Sequence, residues 1–374
     1  MAGIYIHIPF CKTRCVYCDF YSTTQIDHFL PLIEAEQIEL IEQSSQYSEP
    51  IDTIYFGGGT PSFLPTAYIE TLLNTIVKYY NLSDKAEITL EANPDDLYIE
   101  KIKNYKTIGI NRLSIGIQSF HDDILQFLSR RHTAKKAIDS VKWAQKIGFD
   151  NISIDLMYGI SGLTSEIWDK TLDNAVKLGV QHISAYHLTF EKGTPLYQKH
   201  KNKEISTISE DESVNQYQLL IEKMAQYNFI HYEVSNFALA GFESKHNAAY
   251  WHQKKYIGIG PSAHSYTGTT RRWNISSLFD YIHKIKTHSN AYEEEVLTTV
   301  NKFNEYLLTH LRLNTGADFN ELSIIDKNIF EKWHLKYQAV LKTGLISEKP
   351  NGFFINENNW LLLDYILTQL WVDV

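Results

Sequence analysis

Residues 5–18 of the chain read YIHIPFCKTRCVYC and contain all three cysteines among its 374 residues. The apolar positions before the first cysteine predict a β-strand over residues 4–9, which places Cys11, Cys15 and Cys18 on the loop after that strand. An odd number of cysteines crowded into one short loop does not indicate a disulfide framework. Such concentration in an otherwise cysteine-free chain predicts metal ligands.

The spacing Cys-x3-Cys-x2-Cys favours an iron–sulfur cluster. A loop of this kind can direct three thiolates at three irons of a cubane, and the fourth iron then has no protein ligand. Clusters that only carry electrons usually have four cysteine ligands, whereas an open metal position can bind a substrate or cofactor. The alternative is a structural zinc site with His7 or His28 as fourth ligand, but such sites favour paired Cys-x2-Cys units. We therefore predict a 4Fe–4S cluster on Cys11, Cys15 and Cys18.

Strand and helix patterns alternate through the first half of the chain. The predicted strands cover residues 4–9, 53–56, 87–91, 113–117, 152–156 and 183–188, with amphipathic helical sequence between them. Six β-then-α units imply parallel strands joined by right-handed crossovers. The sequence therefore predicts an α/β fold, an incomplete (β/α)6 TIM-like barrel, with its chemistry at the C-terminal ends of the strands.

The pattern loosens after Thr189, and three parts are expected. Residues 1–240 would form the partial barrel, 241–293 a linking segment, and 294–374 a small C-terminal domain. Residues 199–209 are polar and predict a loop. In the C-terminal part, a helix over 303–311, a hairpin turn at Pro350-Asn351-Gly352 and a final helix predict a small α+β, winged-helix-like unit.

Composition narrows the classes of function. Apolar residues make up 44% and charged residues 21%, which is ordinary for a globular protein. A formal charge of −9 without a basic stripe disfavours nucleic acid as a partner. No apolar run approaches the roughly 20 residues that span a bilayer. The first ten residues lack the features of a signal peptide, so a cytoplasmic protein is expected.

The cysteine segment resembles the radical-SAM motif of the oxygen-independent coproporphyrinogen III oxidase branch. The likeness recurs in order at the predicted strand ends and covers nearly the whole chain, including a C-terminal domain of that branch's type. In the branch, the cluster donates an electron to S-adenosylmethionine and cleaves it to methionine and a 5′-deoxyadenosyl radical. A low-potential cluster is a natural one-electron source, and the cofactor carries the hard chemistry. The resemblance implies a 4Fe–4S cluster and S-adenosylmethionine as cofactors.

The resemblance also implies which residues would contact S-adenosylmethionine. In the glycine loop after the second strand, Gly58, Gly59 and Thr60 would hold the methionine moiety, because glycine lets a ligand approach the backbone closely. Glu91 would meet ribose hydroxyls or the sulfonium, and Gln118 offers a donor and an acceptor to the ribose. Each has an ordinary alternative, since glycine runs often make turns and a carboxylate at a strand end can simply be solvated.

Four further residues match cofactor-contacting positions. Arg130 can pair bidentately with the cofactor carboxylate. Asp155 is a charge inside an apolar strand and needs a partner to offset its desolvation. Tyr5 and Tyr17 belong to the motif itself and are implied as cofactor-binding residues. The resemblance assigns no separate catalytic residue.

Two departures from the oxidase pattern put porphyrinogen decarboxylation in doubt. The oxidases have a further cysteine two residues after the third, where this chain has Phe20. They also carry an N-terminal extension over the active site, whereas this chain begins four residues before Tyr5. These departures disfavour the oxidase reaction.

The segment HNAAYW at 246–251 is similar to the His-Asn-x-x-Tyr-Trp pattern of the HemW family of heme chaperones. His246 can ligate heme iron, with Tyr250 and Trp251 against a porphyrin face. The alternative, a histidine hydrogen-bonded in an aromatic core, stays open. The resemblance implies a chaperone that binds heme and hands it to recipient hemoproteins, such as respiratory ones at the membrane. A homodimer is compatible with it.

Two other functions compete with the chaperone hypothesis. One is oxygen-independent coproporphyrinogen III dehydrogenase, or another radical-SAM enzyme acting on a tetrapyrrole. The other is radical-SAM modification of tRNA, which the net charge and the lack of a recognisable RNA-binding unit disfavour. Whether S-adenosylmethionine would be cleaved or only bound does not follow from the sequence.

Overall fold

The computed structural model describes residues 2–373. In this range the strands are β1 (Ala2–Ile8), β2 (Ile51–Gly58), β3 (Leu82–Ala92), β4 (Arg112–Gln118), β5 (Ile152–Tyr158), β6 (His182–His187), β7 (Ile230–Glu233), β8 (Asn236–Ala238), β9 (Tyr256–Ile259), β10 (His264–Tyr266), β11 (Thr270–Asn274), β12 (Tyr292–Val296), β13 (Ala317–Asp318), β14 (Ile346–Lys349) and β15 (Gly352–Ile355). The α-helices are α1 (Phe29–Ser44), α2 (Thr66–Tyr79), α3 (Ile99–Thr107), α4 (Asp122–Phe127), α5 (Ala134–Ile147), α6 (Ser165–Lys177), α7 (Pro195–Lys201), α8 (Glu210–Gln226), α9 (Lys245–Trp251), α10 (Leu278–Lys286), α11 (Thr299–His310), α12 (Phe319–Ile325), α13 (Lys327–Leu341) and α14 (Leu363–Leu370).

The strands form one large open sheet and one small sheet. The large sheet has the order β12-β11-β10-β9-β1-β2-β3-β4-β5-β6-β8-β7, and β1 to β6 are parallel neighbours in chain order. The prediction of an incomplete barrel with six β-then-α units is confirmed. Beyond β1, strand β9 is parallel to it, and β10, β11 and β12 then alternate antiparallel.

The C-terminal part packs four helices, α11 to α14, with the small antiparallel sheet β13-β15-β14. The predicted hairpin is confirmed: β14 and β15 pair antiparallel, and Asn351 takes the left-handed conformation in the turn. The predicted domain boundaries after residues 240 and 293 stay predictions. Strands β9 to β11, which fall in the predicted linking segment, belong to the large sheet.

The loop predicted at residues 199–209 is partly wrong, because α7 continues to Lys201. Pro195 stands in the first turn of α7, and the Thr194 hydroxyl accepts the backbone N–H of Tyr197. This cap and proline stabilise the start of a short helix that the polar composition did not indicate. The next helix, α8, begins after Ser209, whose hydroxyl caps it.

The two faces of the barrel strands differ in polarity. On β1, the side chains of Ile4, Ile6 and Ile8 are fully buried, whereas the alternate residues Tyr5 and His7 are polar. Successive side chains on a strand point to opposite faces, so the apolar row faces the helices and the polar row faces the barrel interior. The interior is therefore built to hold hydrogen-bonding groups rather than an aliphatic core.

None of the helices within residues 2–373 has both the length and the apolar content that crossing a membrane would need.

Trp168 on α6 gives a test of the packing between the helices and the sheet. It is fully buried, stacks on Tyr158 and donates its Nε1–H to the backbone oxygen of Gln216 at 2.9 Å. Trp168→Ala should lower the free energy of unfolding by about 3–5 kcal/mol, because it leaves a cavity and removes the hydrogen bond to Gln216. Urea unfolding measures this. Leu335→Ala, at a side chain that is 73% exposed, is the control and should change stability by less than about 0.5 kcal/mol. Equal effects of the two variants would contradict this packing.

Candidate functional site

The C-terminal ends of the parallel strands surround a cavity of about 420 Å³, a volume in the usual range for a cofactor pocket. Carboxyl ends of parallel strands meet at one edge, so residues far apart in sequence converge there. Most residues predicted to hold the cluster or the cofactor line this cavity: Cys11, Cys15, Tyr17, Cys18, Gly58, Gly59, Thr60, Glu91, Gln118, Arg130 and Asp155.

The cysteine loop forms one wall of the cavity, and its three thiols are free. Cys11 Sγ lies 3.4 Å from Thr60 Oγ1, and Arg130 Nη1 donates to Cys15 Sγ at 3.4 Å. In residues 2–373, no group of three or more His, Cys, Asp or Glu side chains converges closely enough to hold one metal ion. A single zinc ion needs such convergence, whereas a cubane takes each thiolate on a different iron. Three thiols on one loop are the donor set that a cubane takes.

Burial holds two of the three thiols, those of Cys11 and Cys18, in the neutral form. Burial raises the pKa of Cys18 to about 11 and also raises the pKa of Cys11. Metal ligation requires the thiolate, so metal binding here releases protons and is favoured by higher pH.

The glycine loop after β2 is tied to the cysteine loop by backbone hydrogen bonds. Gly59 N–H donates to the oxygen of Ile8 at 2.8 Å, and Thr60 N–H donates to the oxygen of Phe10 at 2.9 Å. A Cβ at Gly59 would lie 2.7 Å from the carbonyl carbon of Pro9, and Gly58 has a φ of +107°. Glycine is therefore required at both positions for the two loops to approach.

Glu91, at the end of β3, accepts two hydrogen bonds beneath the glycine loop. Its Oε1 accepts the Tyr55 hydroxyl at 2.7 Å and its Oε2 accepts the Gly58 N–H at 3.2 Å. The pKa of Glu91 is raised to about 7, chiefly by burial and also by the carboxylate of Asp155, whereas the hydrogen bonds from Tyr55 and Gly58 and the charge of Arg112 act to lower it. This carboxyl group can therefore carry or lose a proton near neutral pH.

Two residues that line the cavity, Gln118 and Arg130, have buried polar atoms without hydrogen-bond partners. Gln118 Oε1 and Arg130 Nε are both buried with no hydrogen-bond partner, although Arg130 Nη2 donates to the oxygen of Gly116 at 2.6 Å. An unsatisfied buried polar atom costs about 1–3 kcal/mol, which a bound ligand can offset. Asp155 accepts a hydrogen bond from the Ser114 hydroxyl at 3.4 Å, and burial raises its pKa. The donor and acceptor set fits a polar cofactor such as S-adenosylmethionine.

Tyr5 and His246 do not belong to the cavity wall. The His246 side chain is 2% exposed, with Nδ1 at 2.8 Å from Thr53 Oγ1 and Nε2 at 2.8 Å from the Tyr250 hydroxyl. Burial lowers the pKa of His246 to about 3, so the ring is neutral. This is the environment of a histidine hydrogen-bonded in an aromatic core. As an iron ligand His246 stays a prediction, and ligation would require one of these hydrogen bonds to break.

Several lining residues were not predicted from the sequence. Ser114, Tyr186 and His187 line the cavity, and Tyr55 supports it through Glu91. Tyr186 and His187 are the last two residues of β6, and their position at the C-terminal end of a parallel strand could have predicted them as lining residues. Arg112, a fully buried cation at the start of β4, had no such signal.

Residues 5–175 match the sequence model of the radical SAM superfamily. The chain is 37% identical to the heme chaperone HemW of Bacillus subtilis (strain 168), covering 97% of both chains. It is 31% identical to the heme chaperone HemW of Mycobacterium tuberculosis (strain ATCC 25618 / H37Rv), covering 98% of this chain and 94% of that protein. The solved coproporphyrinogen III oxidase from Escherichia coli, a radical SAM enzyme, is similar in fold with a TM-score of 0.87. That likeness covers 99% of this chain and 89% of the oxidase at 22% identity.

The raised pKa of Glu91 predicts a specific pH dependence of stability. Between its ordinary value of 4.5 and about 7, the folded state binds this proton more tightly than the unfolded chain does. Stability from this group is therefore full below about pH 4.5 and lost as the pH rises towards 7. Glu91→Gln removes the titration, so the free energy of unfolding of the variant relative to that of the parent should rise by about 2.5 kcal/mol from pH 5 to pH 8.

Urea unfolding of both proteins without cofactors at the two pH values measures the difference. Glu100→Gln, at an exposed position on α3, is the matched control. If the stability difference between Glu91→Gln and the parent is the same at pH 5 and at pH 8, as expected for Glu100→Gln, Glu91 does not have a raised pKa.

Proposed function

This chain belongs to the HemW heme chaperone family of the radical SAM superfamily, and on that premise we propose that it binds heme and delivers it to hemoproteins. The observation that carries the proposal is identity with heme chaperones along almost the full chain. The proposal does not require His246 to be the iron ligand, because the likeness is not confined to residues 246–251.

The resident cofactors of the proposed function are a 4Fe–4S cluster and S-adenosylmethionine. The cluster would be held by Cys11, Cys15 and Cys18, and the chain has no fourth cysteine to occupy the remaining iron. When bound, the cluster would supply a low-potential electron for chemistry on S-adenosylmethionine. The cavity that all three thiols share with the glycine loop supports a common site for both.

The chain's own residues would bind and orient S-adenosylmethionine. Gly58, Gly59 and Thr60 would hold the methionine moiety where the two loops meet. The Arg130 guanidinium would pair with its carboxylate through the unpartnered Nε. The remaining contacts would come from residues on the opposite wall and on the cysteine loop: Tyr17, Glu91, Gln118 and Asp155. The motif also implies Tyr5, which would act from below the cavity.

The surroundings of the cysteine loop favour binding of heme over turnover of a porphyrinogen. Phe20, where the oxidases have a further cysteine, is 66% exposed and lines the cavity mouth. An exposed aromatic ring can pack on a flat apolar ligand, whereas it cannot ligate a metal. Lys12 and Arg14 are exposed on the same loop and can pair with propionate groups, which heme and coproporphyrinogen III have in common.

The proposed place of action is the cytoplasm, with hemoproteins, including respiratory ones at the membrane, as recipients of the heme. The net charge of −9 supports protein partners rather than nucleic acid. A homodimer is part of the same hypothesis. The competing function is oxygen-independent coproporphyrinogen III dehydrogenase, which the shared fold favours and Phe20 disfavours.

Two anaerobic assays on the reconstituted protein separate the two functions. Titration with heme, followed by the Soret absorbance, should give stoichiometric binding. Incubation with coproporphyrinogen III, a strong reductant and S-adenosylmethionine should give no enzymatic turnover. Any conversion should be slower than about one turnover per minute. Conversion above that rate would establish the dehydrogenase, and absence of heme binding would contradict the chaperone.

Cysteine variants test the cluster. Cys15→Ser should reduce iron and acid-labile sulfide per chain several-fold after reconstitution, because one iron loses its protein ligand. Thr13→Ala, on the same loop but without a thiol, is the control and should load like the parent. Full loading of Cys15→Ser, measured by metal analysis and electron paramagnetic resonance, would exclude Cys15 as a ligand.

A further inference from the structure

Three aromatic side chains stack in the barrel interior below the cofactor cavity. The His246 ring lies 5.0 Å from the Tyr55 ring and 6.4 Å from the Tyr5 ring, at interplanar angles of 24° and 29°. Tyr5 and Tyr55, on neighbouring strands, are 6.2 Å apart at 27°. His246 therefore packs against both tyrosines at once.

His246 is fixed from below by its own helix. The backbone N–H groups of Lys245 and His246 donate to the two carboxylate oxygens of Glu87, at 3.3 and 3.2 Å. A carboxylate suits the N-terminus of α9 because the unpaired N–H groups and the helix dipole favour negative charge there. With both ring nitrogens also hydrogen-bonded, to Thr53 and Tyr250, the ring has a defined orientation.

Tyr55 connects this ring to the glycine loop. Its hydroxyl donates to Glu91 at 2.7 Å, and the second oxygen of Glu91 accepts the N–H of Gly58 at 3.2 Å. A shift of the Tyr55 ring would therefore displace the carboxylate that supports the glycine loop.

Tyr5 connects the same ring to the cysteine loop. His7 Nε2 lies 3.0 Å from the backbone oxygen of Tyr21, and a carbonyl can only accept, so Nε2 carries the proton. Burial lowers the pKa of His7 to about 4, so the ring is neutral and Nδ1 accepts the Tyr5 hydroxyl at 3.0 Å. Tyr21 follows Cys18 by three residues. The chain of contacts thus ends at the C-terminal side of the cysteine loop.

Two glycines leave the room that this stack occupies. A Cβ at Gly57 would lie 2.9 Å from the Tyr55 ring and 3.0 Å from the Tyr5 ring. A Cβ at Gly3 would lie 2.7 Å from Thr53 Oγ1 and 3.2 Å from the His246 ring. Real Cβ atoms do not approach other atoms this closely without displacement, so the close packing of the stack depends on both glycines.

We propose that His246 is a positioning residue for the cofactor site, which holds Tyr55 and Tyr5 so that their hydrogen bonds orient the glycine loop and the cysteine loop. The inference rests on the proposed S-adenosylmethionine site and assigns the histidine of the HNAAYW segment a role other than iron ligation. Groups that orient the ligands of a metal or cofactor, without touching it, commonly change its affinity by 10- to 100-fold.

The test measures affinity for S-adenosylmethionine in the cluster-loaded protein by calorimetry, together with the change that S-adenosylmethionine causes in the electron paramagnetic resonance spectrum of the reduced cluster. His246→Ala and Tyr55→Phe should each weaken the affinity about tenfold and reduce that spectral change. Cluster content and heme stoichiometry should stay at the parent level. His252→Ala, at the exposed histidine directly after α9, is the matched control and should behave like the parent.

A double-mutant cycle separates positioning from a general loss of packing. His246 is proposed to act on the glycine loop through Tyr55 and on the cysteine loop through Tyr5. In the Tyr55→Phe background the first of these routes is already lost, so His246→Ala should weaken the affinity for S-adenosylmethionine by clearly less than it does in the parent protein. His246→Gln retains hydrogen-bonding groups for Thr53 and Tyr250 without the ring, so its affinity should lie between that of the parent and that of His246→Ala. His246→Gln also replaces His246→Ala in the test if His246→Ala fails to fold.

Each contrary outcome has a distinct meaning. Parent-like affinity for S-adenosylmethionine in a folded, cluster-loaded His246→Ala or His246→Gln variant would overturn the positioning role. Loss of heme binding with unchanged affinity for S-adenosylmethionine would identify His246 as an iron ligand instead. Full additivity in the cycle would also overturn the proposal. A parent protein that binds no S-adenosylmethionine would refute the proposed cofactor, which is a different failure.

Discussion

The parallel pairing of β1 with β2 is the constraint on which the rest of the structure depends. Its register puts Tyr5 opposite Tyr55 and Ile8 opposite Gly58, so the cysteine loop and the glycine loop leave the sheet side by side. The hydrogen bonds from Gly59 and Thr60 continue this pairing past the ends of the strands. Because side chains alternate along a strand, a register shift of one residue would move the tyrosines to the helical face and separate the loops.

The polar interior that this register creates is costly, and hydrogen bonds offset the cost. Burial disfavours the charged forms of Glu91 and Asp155 and thereby raises the pKa values of both carboxyl groups. Arg112 opposes this effect on both carboxyls, and Tyr55 does so on Glu91. Two of the buried atoms that remain without partners, Gln118 Oε1 and Arg130 Nε, lie where the cofactor is proposed to bind. A ligand bound there can offset the desolvation cost of these two atoms.

The sequence predicted what depends on local patterns and missed what depends on distant pairing. Helix α5 and the six barrel strands follow from periodicity and turn residues near each element. The addition of β9 to β11 to the large sheet depends on edge pairing with β1, some 250 residues away along the chain, as the register of Gly3 with Tyr256 shows. For the same reason, the motif identified residues 246–251 but could not reveal that the Thr53 hydroxyl would meet the ring of His246.

The position of α9 changes what the HNAAYW segment can explain. A heme ligand needs a free ring nitrogen and access for a large planar group, and His246 offers neither while it remains hydrogen-bonded and buried. Through Tyr55 and Tyr5, however, it reaches both loops that surround the proposed cofactor. A scaffold shared with an oxidase does not determine the reaction, because function depends on the side chains placed on it. In this chain the side chains that we propose to matter are an exposed Phe20 at the mouth of the cavity and a stacked histidine beneath it. On this proposal, heme binding at the mouth and support of the cofactor site from below are separate physical tasks.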